Sequence, residues 1–199
     1  MNTQTLDYES MDSQLNNSKS KVNNRIAGVW GFLEATIFFI VPDVLLTYLG
    51  SRKDRPLLMP ILMATLGAFI GGLLMYCFGH SNYGLSSELI TRIPAIDSAM
   101  TEQVRILLNE HGLWALFIGP LQGIPFKIFA IEATLTSINP ALFLLISIPA
   151  RMMRFVLLAY LARLLVTTVF KSVKQRTLTL IWLCGWVGFY GFYFYHFGF

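Results

Sequence analysis

Apolar stretches longer than the roughly 20 residues a helix needs to cross a hydrocarbon core recur along this chain of 199 residues. They run over 26–50, 57–79, 113–135, 140–166 and 177–199. Only 13% of the residues are charged, about half the share of a soluble domain. The chain therefore reads as an all-α polytopic membrane protein. With no basic stripe interleaved with soluble aromatics, nucleic acid is excluded as a partner.

Two of the five stretches are poor helices. Pro42-Asp43 interrupts 26–50, and Gly119-Pro120, Gly123 and Pro125 crowd into 113–135. Proline removes a helix donor, clashes with the preceding turn and biases its predecessor away from the helical region. Broken helices persist at membrane depth only where protein or a wet cavity satisfies the freed backbone.

Basic residues help to orient the chain. If both broken stretches enter and leave on one side, Lys19, Lys21, Arg25, Arg52, Lys53, Arg55, Lys171, Lys174 and Arg176 fall inside. Only Arg92 and Arg105 then fall outside, nine against two. With five full crossings the split is eight against three, so the cytoplasmic excess of Lys and Arg favours two re-entrant hairpins and a cytoplasmic N-terminus. Residues 26–79 and 113–166 then share one plan, hairpin followed by span, in opposite orientation. That is the inverted-repeat architecture of many transporters.

Six ionisable residues lie within these stretches: Glu34, Asp43, Lys127, Glu132, Arg151 and Arg154. Each costs about 2.5–3.5 kcal/mol at a bilayer centre on insertion scales. Such charges pair, line a wet cavity or bind a polar substrate. Arg151 and Arg154, three apart, share one helix face, and their forks suit carboxylate or phosphate. Glu34 and Asp43, nine apart, fall on opposite faces of a continuous helix unless the break at Pro42 gathers them. Lys127 could add a third cation, with Glu132 five residues later as its neutralising partner. Arg163, nearer a helix end, is expected to snorkel to the surface.

The remaining segments carry less chemistry. Residues 1–25 are polar and read as a disordered cytoplasmic tail with no signal-peptide core. Within 80–112, an amphipathic helix is expected after Asp97 or Ser98, ended by Gly112, with Met100, Val104, Leu107 and Leu108 on one face. Gly67-x-x-x-Gly71 and Ala68-x-x-x-Gly72 suit close helix packing. Cys77 and Cys184 read as small core residues, and His80 and His111 form no metal pattern. The aromatic stretch 177–199 reads as a C-terminal helix anchored at the membrane interface.

Three segments together resemble the DedA superfamily, also called the VTT or SNARE-associated family. They are Gly31-Phe32-Leu33-Glu34 leading into Phe39-Ile40-Val41-Pro42-Asp43-Val44-Leu45-Leu46; Gly123-Ile124-Pro125-Phe126-Lys127 with Phe129-Ala130; and Pro149-Ala150-Arg151-Met152-Met153-Arg154-Phe155. The resemblance covers about 26–170. It implies two facing re-entrant hairpins and a membrane-homeostasis role, with several members implicated in moving lipids between leaflets. The family's functional acids and arginines match Glu34, Asp43, Arg151 and Arg154. The chain departs from the family in having Asp43 where Glu is common, Lys127 where Arg is frequent, and Ile131-Glu132-Ala133 in place of a small-residue turn.

The expectation is a transporter in the cell membrane that moves a lipid, polyprenyl phosphate or phospholipid, between leaflets. Arg151, Arg154 and Lys127 would bind an anionic headgroup, while Glu34 and Asp43 exchange protons. The same charges could serve a proton-coupled small-solute or ion antiporter, or hold together a structural factor that transports nothing. Oligomer formation is compatible with all three. No enzyme constellation, metal site or cofactor motif stands out.

Overall fold

The computed structural model describes the backbone of residues 3–197 and the side chains of 18–120 and 122–195. Among the described residues the chain is all-helical, with no strand. Helix α1 (Thr3–Thr36) breaks before a short α2 (Asp43–Gly50), which leads to α3 (Leu58–Ser81). Two helices at one end, α4 (Tyr83–Thr91) and α5 (Ser98–His111), precede a second broken region. It comprises α6 (Ala115–Ile118), a 3-10 turn at Gly119–Gln122 and α7 (Phe126–Glu132). Long helices α8 (Pro140–Thr168) and α9 (Gln175–Phe197) complete the chain.

Three of these helices are long and apolar enough to cross a membrane: Leu58–Ser81, Pro140–Thr168 and, within α9, Gln175–Tyr195. Their outward faces expose Leu66, Ile70 and Leu74 on α3, Leu157 and Leu164 on α8, and Val187 and Phe192 on α9. α2 and α7, at eight and seven residues, are only about 10–12 Å long.

Glycines decide the closest packing. A Cβ on Gly67 would sit 1.9 Å from the Gly28 carbonyl oxygen, and one on Gly31 would sit 2.2 Å from that of Ala64. α1 and α3 therefore meet backbone to backbone, using the small-residue spacing on α3. One core cluster gathers α1, α2 and α3 with Phe155 and Ala159 of α8. The other gathers α5, α6 and α7 with Met75 of α3 and Phe143 of α8. α2 lies against α8, and α7 lies against α3.

Two local expectations hold, and two are revised. The Asp97 carboxylate accepts from the Met100 N–H to cap α5, whose Met100, Val104 and Leu108 are buried and whose end falls at Gly112 with φ +54°. Residues 3–25 continue as α1 where a tail was expected; no proline or glycine precedes Gly28 to stop the helix. Residues 1 and 2 lie outside the described residues. Cys77 and Cys184 are exposed, because each falls on the outward side of an apolar helix.

Candidate functional site

At the first break, side chains replace the missing helical hydrogen bonds. The N–H groups of Ile37 and Phe38 both donate to the Leu33 carbonyl. The Trp30 indole donates to the Ile40 carbonyl at 2.9 Å, and the Val41 N–H donates to the Tyr190 hydroxyl at 2.9 Å. Lys127 Nζ, from the second broken region, donates to the Phe38 carbonyl at 2.8 Å. Irregular backbone away from water needs such partners, and here they arrive from α1, α7 and α9.

Behind this break the charges meet. Asp43 opens α2, where a carboxylate also suits the helix dipole, and it pairs with Arg154 of α8 at 2.5 Å. Glu34, on α1 just before the break, pairs with Arg151. The Arg151 guanidinium lies 4.5 Å from the Phe126 ring centre and 6.0 Å from that of Phe155, so aromatic faces supplement its carboxylate partner. Asp43 is fully buried and Lys127 is 1% exposed. Among the described residues, no carboxylate lies within ion-pairing distance of Lys127. Within this cluster two buried atoms, Asp43 Oδ1 and Arg151 Nη1, lack hydrogen-bond partners among the described residues.

A cavity of about 650 Å³ opens beside this cluster. Glu34, Asp43, Lys127 and Arg154 form its polar part. Its aromatic part comes from Phe38, Phe39 and Phe117 and from the α9 face bearing Trp182, Trp186, Phe189, Tyr190 and Tyr193. The indoles of Trp182 and Trp186 both donate to Thr47 Oγ1, at 3.1 and 3.0 Å. Thr47 in turn donates to the Asp43 carbonyl at 2.6 Å. α9 is therefore a wall of the site as well as an aromatic surface helix. A second space of about 20 Å³ lies against Glu34, Arg151, Phe126 and Phe155.

Of the six in-segment charges, Glu34, Asp43, Lys127, Arg151 and Arg154 come together, and Glu132 does not join them. Instead of neutralising Lys127, Glu132 accepts from Arg105 Nε at 3.0 Å and from the Tyr83 hydroxyl at 2.7 Å. Five residues along a helix separate the two side chains by about 500° of rotation, so Lys127 and Glu132 diverge. Arg105 also donates to Tyr83 at 2.9 Å and to Glu102 at 2.8 Å. Burial first, and then the Glu132 carboxylate, push the Tyr83 phenol above its usual pKa. Burial opposes the charge on Arg105, but Glu132 and Tyr83 outweigh it and the pKa rises. This network clamps α4 and α5 onto α7.

Arg163 does not reach outward either. It donates to the carbonyls of Leu49 and Gly50, left open where α2 ends, and to that of Arg55 in the following loop. Nothing in the sequence places Tyr190, Trp186, Thr47 or Trp30 beside the first break. A broken helix implies side-chain donors and acceptors somewhere, but their location depends on the three-dimensional fold.

These features define the class: among the described residues, an all-helical protein with three helices fit to cross a membrane and a charged, aromatic-walled cavity beside its broken helices. Comparison with protein-family models, curated proteins and solved structures gave no match.

Proposed function

We propose that this protein moves a phosphate-bearing lipid between the leaflets of the cell membrane, with its N-terminus in the cytoplasm. The observation that carries the reading is the cavity, whose charged floor and apolar aromatic wall match the two ends of an amphiphile. A headgroup phosphate would rest on Lys127 and Arg154, where charge-assisted hydrogen bonds offset its lost hydration. The acyl or prenyl chain would stay along α9 and in the bilayer. Protonation of Asp43 or Glu34 would release its arginine to the phosphate, coupling the lipid to protons.

In this reading the two broken regions are re-entrant hairpins of an inverted repeat. Three features support it: the shortness of α2 and α7, the packing of α2 on α8 and α7 on α3, and the resemblance to the DedA superfamily. A two-fold axis in the membrane plane would exchange those two packings.

The test is lipid translocation in proteoliposomes at two pH values, with polyprenyl phosphate and a phospholipid as separate substrates. Wild type should translocate at least one of them, and Arg151→Ala/Arg154→Ala should not. Because that variant also removes both ion pairs, Lys127→Gln, which keeps a donor for the Phe38 carbonyl, provides a second reading and should slow transport. Translocation retained in both variants refutes the assignment. No lipid movement by folded wild type points instead to solute antiport or a structural role.

A further inference from the structure

The floor of the large cavity has unused hydrogen-bonding capacity of both kinds. Lys127 Nζ carries three N–H donors and spends one on the Phe38 carbonyl. Arg154 gives Asp43 one Nη2 contact, and its side chain is 28% exposed beside the cavity. Asp43 binds Arg154 through Oδ2, while its Oδ1 is buried without a hydrogen-bond partner among the described residues. A fully buried carboxylate oxygen in that state is costly, and Asp43 is itself a lining residue of the cavity. The indole donors of the wall are committed to Thr47, so they leave the Asp43 oxygen unanswered.

We infer that the cavity selects a lipid whose headgroup carries a hydrogen donor, a primary ammonium or a hydroxyl, beside its phosphate. The phosphate would meet Lys127 and Arg154, and the donor would meet Asp43 Oδ1. The inference rests on the lipid-translocation reading and specifies its substrate. A choline headgroup offers phosphate but no N–H, so it leaves Asp43 unsatisfied. A phosphate monoester on a prenyl chain, with its second pKa near 6, is largely dianionic at pH 7. It would bring a phosphate oxygen against Asp43 in place of a donor. A phosphodiester carrying ethanolamine or glycerol fits both halves of the floor.

The experiment uses the full chain in proteoliposomes, with tracers labelled on the acyl chain so that each headgroup stays native. Phosphatidylethanolamine, phosphatidylglycerol and phosphatidylcholine are compared directly, and polyprenyl phosphate is followed in parallel. One hydrogen bond to a charged acceptor separates the headgroups by about tenfold or more. Ethanolamine and glycerol lipids should therefore lead choline lipid by that factor, and Asp43→Asn should shrink the ratio towards one. Equal rates for ethanolamine and choline lipids in wild type overturn the inference and leave lipid translocation standing, as does polyprenyl phosphate outrunning both. Failure to move any of the four overturns the translocation reading itself.

Discussion

Replacing Arg151 with methionine strands the Glu34 carboxylate. The two side chains are only 7% and 6% exposed, so neither can turn to water when the other is gone. Removing one partner of a buried pair costs about 3–5 kcal/mol. Loss of the guanidinium contact with Phe126 adds about 0.5–2 kcal/mol. For a chain of this size each kcal/mol shifts the melting temperature by about 2–4 °C, so Arg151→Met should melt at least 6 °C below wild type. The double variant Glu34→Leu/Arg151→Met removes both desolvated charges together and should recover most of the loss. Thermal unfolding in detergent micelles, followed by tryptophan fluorescence, reads all four corners of this cycle. A single variant within 1 kcal/mol of wild type, or a double variant losing the sum of both singles, refutes the argument that these charges share one dry site.

Other variants test other parts of the structure. Gly67→Ala drives a methyl into the Gly28 carbonyl and should lower stability by about 1–3 kcal/mol or more, whereas Gly188→Ala, with open space around its Cβ, should be neutral or slightly stabilising in the same melt. Tyr190→Phe removes the acceptor for the Val41 N–H and should cost about 1–2 kcal/mol, with faster hydrogen exchange at Val41. Arg105→Gln leaves the fully buried Glu132 with Tyr83 alone and should destabilise by about 2–4 kcal/mol. Limited proteolysis should then cut first around α5, and an unchanged digestion pattern would deny the clamp.

Much of the helical plan was legible because its signals are local. Apolar length marked α3, α8 and α9, and the Asp97 and Gly112 caps marked α5. The spacing of three between Arg151 and Arg154 put both on the face that meets the acids. Partner choice was less legible. The sequence offers Glu132 to Lys127 five residues away, but the actual partner, Arg105, lies on another helix. The role of α9 was hidden for the same reason. Its Tyr and Trp composition suits an interface anchor, and only the fold shows Tyr190 serving the α1–α2 break and Trp186 reaching Thr47 of α2. α4 went unrecognised inside a polar connection although Asn82, whose side chain accepts from the Leu85 N–H, is an ordinary cap.

α8 holds α2 at both ends, with Arg154 on the opening Asp43 and Arg163 on the closing carbonyls of Leu49 and Gly50. Nine residues separate the two arginines, a rise of about 13.5 Å, and the eight residues of α2 span about 12 Å. α8 thus works as a ruler whose two marks match the length of the element it carries. One residue inserted between Arg154 and Arg163 would turn the second mark by about 100° and leave α2 gripped at one end. The length of that short helix is therefore fixed from outside it, by the spacing of two cations on a neighbour.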